Sequence, residues 1–267
     1  MSTSQPARDV AATIAAHRLE GWQPADEHVA ALHTLARGDV SFAEYLARFR
    51  DRHPPTQPHV RRFRLRRAVP YFIPGTTVLR NEFGATSAET LHELEFAATA
   101  GRMAMWLRRV SDRGQADDLD VQVIHRYLFG DVYSWAGEYR TTELRRGDQH
   151  FAWQSSIAGR MATVHDSARR AMTVCVGADD SRVAYALARI YADHNQIHPF
   201  REGNGRTGAA LLQLLARRCG KALDLSGISR DEWYAAARDS MPFRRDGRAS
   251  HRPFLYLLGP ALHDDRQ

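Results

Sequence analysis

Three observations predict a mainly α-helical fold for this 267-residue chain. Apolar residues recur at helical spacing through most of its length. Glycines, prolines and capping residues punctuate those runs. Only one stretch, 139–153, carries the turn chemistry of paired short strands. The sequence is 43% hydrophobic and 25% charged, enough for one large or two small domains with a real core. The expected architecture is a helical bundle with a small β-hairpin, preceded by a small helical N-terminal unit. We place the unit at 1–52, a linker at 53–70 and the main domain at 71–267.

The N-terminal unit reads as three helices. Val10, Ile14 and Ala15 mark the first, Val29, Leu32 and Leu35 the second, and Phe42, Tyr45, Leu46 and Phe49 the third. Gly21 and Gly38 separate them, and Ser41 can cap the third. His53 to Arg67 is rich in proline and arginine and reads as a linker; the Arg61–Arg67 string has no groove-reading motif beside it, so nucleic acid is not the expected partner. In the main domain, Thr141, Thr142 and Leu144, a Gly147-Asp148 turn and Phe151 predict the hairpin. Ser181 can cap a helix through Val183, Leu187 and Tyr191, which Pro199 should end. Leu211 to Leu215 lie on a further helix, with Gly220 as its stop.

Charge and composition remove several classes of function. The formal net charge is only +6, and Lys221, followed by Ala222, is the sole lysine, so there is no Walker A loop. Cys175 and Cys219 lack ligand-like spacing and fit a reducing compartment. No apolar run reaches membrane-spanning length and the polar N-terminus does not read as a signal peptide, so a cytoplasmic protein is expected.

The chemistry concentrates in His198-Pro199-Phe200-Arg201-Glu202-Gly203-Asn204-Gly205-Arg206. This run joins a potential general base, a potential metal-holding carboxylate, two glycines around an asparagine, and arginine. Gly-Asn-Gly leads into a helix, where free N–H groups and the macrodipole attract anions. Glycines let the backbone approach a ligand closely. His194 and His198 stand at i, i+4, but Asn195 replaces the glutamate a zincin needs, which argues against a zinc hydrolase.

The run resembles the signature of the Fic (filamentation induced by cAMP) family, H-x-F-x-[D/E]-G-N-G-R-x-x-R, at every specified position but the last, where Ala209 stands. Tyr71 to Phe83 resembles the usual entry to a Fic domain, and His125 to Gly137 its helix before the flap. The resemblance implies a Fic-type bundle and transfer of AMP from ATP to a protein hydroxyl. His198 would be the catalytic base and Glu202 would hold Mg²⁺. Gly203, Asn204 and Gly205 would cradle phosphates, Arg206 would pair with them bidentately, and Phe200 would anchor the loop. The protein substrate would dock at the flap, Thr141 to Trp153, by strand addition.

Leu19-Glu20-Gly21 resembles the inhibitory motif [S/T]-x-x-x-E-[G/N] of Fic regulators, with Ala16 in place of Ser/Thr, and the unit around it resembles a VbhA-type antitoxin. The resemblance implies that Glu20 inhibits. Its family partner, the second arginine, is missing at Ala209; Arg206 or Arg201 is the expected substitute, Arg201 also being a candidate nucleotide contact, while Arg217 lies too far along the helix. The loss leaves open another donor, such as UTP, CDP-choline or phosphoryl transfer, or a non-catalytic module.

Overall fold

Glycine and capping chemistry set the turns of the N-terminal unit in the computed structural model, which describes residues 5–54, 70–113 and 119–265. Helix α1 (Gln5–Leu19) is followed by α2 (Asp26–Arg37) and α3 (Phe42–Arg50). Gly38 ends α2 at φ 83° and donates its N–H to Leu35 O at 3.0 Å. Ser41 and Glu44 form a reciprocal capping box on α3, with Ser41 N to Glu44 Oε2 at 2.7 Å. Val29 is half-buried rather than internal; His28 takes the inward place, stacked on Phe49 at 4.9 Å, because α2 presents its face one residue earlier. The linker expected at 53–70 lies outside the described residues except at its edges.

The unit is anchored on the main domain. α1 crosses α4 (Ala88–Arg113) and α8 (Asn204–Arg218), burying Val10, Ala15, Ala16 and Leu19. Asp9, fully buried, accepts a hydrogen bond from Arg217 at 2.6 Å, which explains why Arg217 is unavailable to the loop. His17 Nε2 meets Thr99 Oγ1 at 3.2 Å, and the Tyr45 hydroxyl of α3 donates to Ala97 O at 2.9 Å.

The main domain wraps α4, α5 (Val121–Phe129), α6 (Ile157–Val174) and α7 (Asp180–Ile197) around α8, whose Ala210 to Ala216 are all buried. Helices α9 (Arg230–Asp239) and α10 (Arg252–Leu258) pack together, with α10 also against α7. The expected hairpin is present: β1 (Arg145–Arg146) pairs antiparallel with β2 (Gln149–His150) across Gly147-Asp148. Two details differ from the sequence reading. The cap of α7 is Asp179, accepting from Arg182 N at 2.8 Å, because the helix begins one residue before Ser181. A second hairpin, β3 (Lys221–Leu223) with β4 (Leu262–Asp264), joins segments 41 positions apart; three-residue strands are too short to show alternation.

Candidate active site

The loop between α7 and α8 is held by its own side chains. Residues before proline avoid helical geometry, and His198 leaves α7 at φ 50°, ψ 63°. Asn204 clasps the loop: its Oδ1 accepts from Phe200 N and its Nδ2 donates to Phe200 O, both at 2.9 Å. The Asn204 side chain thus shapes the loop, leaving only its backbone to face a ligand. Phe200 is fully buried and stacks on His125 at 3.9 Å. His125 Nδ1 accepts from Gly137 N at 2.8 Å, so Nε2 is the donor to Glu202 O at 3.0 Å. Burial pushes the His125 pKa down to about 3, keeping the ring neutral. His194 Nε2 donates to Asn204 O at 3.0 Å, so that nitrogen is no metal ligand. Gly203, at φ 79°, is obligatory: a Cβ there would meet the Phe129 ring at 2.2 Å.

A cavity of about 290 Å³ opens beside this loop. His198, Arg201, Glu202, Asn204 and Gly205 line it, with Glu20 from the N-terminal unit and Arg146 and Phe151 from the hairpin. The His198 ring stacks on Phe151 at 3.8 Å. Burial first, then the charge of Arg146, holds its pKa well below the usual histidine range, so it is neutral at pH 7. Glu202 is half-buried; its Oε1 accepts from Gly203 N at 3.1 Å and lies 3.7 Å from Arg206. Burial and then the neighbouring Glu95 raise the Glu202 pKa.

Gly203 and Arg206 lie behind the cavity rather than on its surface. Arg206 is 3% exposed, pairs with Glu95, and donates to Thr99 Oγ1 at 3.1 Å. The rings of Phe96 and Phe129 pack against its guanidinium at 4.5 and 4.7 Å. The open, phosphate-facing fork expected of Arg206 is therefore replaced by a buried ion pair, because Glu95 on α4 reaches it. Glu95 also accepts from the Tyr133 hydroxyl.

Glu20 sits on the start of α8. Its Oε1 lies 1.9 Å from where a Gly205 Cβ would stand, so only glycine admits the carboxylate there. Burial raises the Glu20 pKa, opposed by the charges of Arg206, Arg146 and Arg230 and by the Tyr234 side chain. Arg201 is not among these partners; its guanidinium packs over Phe72 at 4.9 Å. Gly21 sits at φ 96°, a backbone that favours glycine, and a Cβ would lie 3.1 Å from the Arg230 Cζ.

Sequence reasoning missed Glu95, Thr99 and Arg140 as well as Arg146 and Arg230. Arg140, 2% exposed, donates to His198 O at 2.8 Å, Thr142 O at 2.7 Å and Ala152 O at 2.6 Å, lacing the end of α7 to the hairpin. Its place at the foot of the hairpin was the only local signal; the other contacts join distant segments.

A helical domain with an anion-seeking helix start, stoppered by a carboxylate from a second helical unit, is the class this geometry defines. The chain belongs to the Fic/DOC family: that family's model matches residues 116–216, and the model for antitoxin VbhA matches residues 7–52. The "Probable protein adenylyltransferase Fic" of Salmonella typhimurium is 31% identical over 170 residues, 62% of this chain and 82% of that protein. "Probable protein adenylyltransferase y4lH" of Sinorhizobium fredii is 33% identical over 60% of this chain and 81% of its own length. "Protein adenylyltransferase VbhT" of Bartonella schoenbuchensis is 32% identical over 64% of this chain, but the match spans only 35% of that longer protein. Among solved structures, the Bartonella tribocorum BepC protein with bound AMPPNP superposes with TM-score 0.61 at 20% identity, over 73% of this chain and 97% of that one; this likeness is one of fold.

Proposed function

We propose that the protein transfers AMP from ATP to a hydroxyl side chain of a target protein, and that its N-terminal segment restrains this activity. The observation that carries the reading is the Glu20 carboxylate seated on Gly205, in the cavity that also holds His198 and Glu202. An anion placed at that helix start marks where a phosphate would go. The relatives' printed names support the reaction class, and the AMPPNP in BepC supports a nucleotide as donor.

In this reading the hydroxyl oxygen attacks the α-phosphorus, the bond to the bridging oxygen breaks, and pyrophosphate leaves. His198, neutral at pH 7, takes the hydroxyl proton. Asn204 and Gly205, at the start of α8 and on the cavity wall, offer backbone N–H groups to phosphate oxygens, while Gly203, whose N–H is taken by Glu202, shapes the turn behind them. Glu202 suits Mg²⁺: one half-exposed carboxylate, with its proton affinity raised by burial and Glu95, is the sparse donor set this ion uses when phosphates complete its shell. When bound, Mg²⁺ would offset phosphate charge. Arg206 acts from behind the loop, keeping Glu95 neutralised and α8 in place. The target docks along the hairpin between Thr141 and Trp153. We assign 1–52 to the antitoxin-like unit and 71–267 to the Fic domain, and place the protein in the cytoplasm.

The test is transfer from α-labelled ATP with Mg²⁺, run beside UTP and CDP-choline. His198→Ala is expected to abolish labelling; undiminished transfer removes the base. Glu20→Gly should raise activity modestly and deletion of residues 1–60 should raise it more. Buried Ala209, 2% exposed and without a cation to offer, favours one second reading, a different phosphate-linked donor. Label from UTP or CDP-choline in place of ATP would establish it.

A further inference from the structure

Besides Arg206, whose charge acts on the Glu20 carboxylate from behind the loop, two cations that act on it come from outside the His198–Arg206 run. Arg146 lies on β1 and lines the cavity; Arg230 opens α9. Both guanidiniums converge on one ring, at 5.1 and 5.0 Å from the centroid of Tyr234, and the Tyr234 side chain itself reaches Glu20. Arg230 also lies along the Glu20-Gly21 backbone, its Cζ 3.1 Å from where a Gly21 Cβ would stand. Neither arginine forms an ion pair within 4.0 Å among the described residues. Two cations against one ring repel each other, and an anion between them relieves the cost. Meanwhile Arg206 is occupied by Glu95, Arg201 by Phe72, and Arg217 by Asp9.

We propose that Arg146 and Arg230 form a two-arginine clamp for the distal phosphate of the nucleotide, closed on Glu20 in the resting chain. The proposal rests on the ATP reading above and names which groups of this chain grip the triphosphate. Arginine forks match phosphate oxygens bidentately, and a terminal phosphate carries more charge than one carboxylate. Inhibitor and nucleotide would therefore compete for the same two side chains. The specificity that follows is for chain length: ATP is held at both ends, AMP at one.

Calorimetric titration of the full chain carrying Glu20→Gly, with Mg²⁺, tests this using AMPPNP, ADP and AMP. Adding Arg146→Ala or Arg230→Ala should weaken AMPPNP binding by about tenfold each, leave AMP within twofold, and leave the melting temperature unchanged, since both side chains are exposed. Arg→Lys at either site should restore part of the loss, because charge returns without the fork. AMPPNP affinity indifferent to both arginines, or falling in parallel with AMP, overturns the clamp. The two readings fail separately: intact label transfer with arginine-insensitive AMPPNP binding sinks the clamp alone, while arginine-dependent AMPPNP binding in a chain that labels nothing sinks the transferase alone.

Discussion

The two ends of α1 meet the Fic core by opposite physics. At the N-terminal end, Asp9 is fully buried, bonded to Arg217 at 2.6 Å and to Gln5 at 2.8 Å. At the C-terminal end, Glu20 is half-buried and has arginines around it but no close ion pair among the described residues. Burial outweighs attraction there, which is what its raised pKa expresses. One end is a fastening and the other a stopper. A restraint built this way can release the cavity without shedding the unit, because the unfavourable end is the one that must move.

Breaking the fastening should have the largest effect. Asp9→Ala strips a buried carboxylate from Arg217 and should cost about 3 kcal/mol, read as a fall in melting temperature with a rise in AMPPNP affinity as α1 loosens. Should stability hold, the contrast between the ends is wrong. His17 lies between the two ends, and burial, then Arg206, lowers its pKa to about 3. A base with a lowered folded pKa adds stability that is complete above its unfolded value and is lost as pH falls from about 6.5 toward 3. The linkage is about 2 kcal/mol between pH 7 and pH 5; His17→Gln should flatten that limb of the stability profile, and an unchanged slope would clear His17 of the role. Smallest is the stopper itself. An acid with a raised pKa weakens the fold as pH rises through that value, so Glu20→Gln should match or exceed the parent's melting temperature at pH 8, with the gap closing near pH 4.5. A parent more stable than Glu20→Gln at pH 8 would make Glu20 a second fastening.

Much of the site was legible because its chemistry is contiguous. His198, Glu202 and Gly205 stand within eight residues and share one cavity, and the turn at Gly147-Asp148 marks the hairpin above them. Ser41 and Gly38 marked their helix ends because capping is a local code. What escaped has no local code. Glu95 meets Arg206 across 111 positions, and Thr99 across 107. Arg206 therefore read as a free fork when it is a buried pair. Arg146 and Arg230 belong to no motif and as residues are exposed; only the fold brings both to Tyr234. The second hairpin was silent for the same reason, since nothing in Lys221–Leu223 announces Leu262–Asp264.

The backbone at His198 carries one more consequence. A non-glycine residue at φ 50° stores about 1 kcal/mol of strain, and the Phe151 stack and Arg140 lacing keep it there. Glycine or asparagine would sit at this corner more comfortably, yet neither carries an imidazole. A screen that rewards heat resistance alone would therefore drift toward replacing His198, and the hardiest molecules it returned would be inert. Durability and work pull this one residue in opposite directions, so its identity is a record of which of them the chain has been asked for.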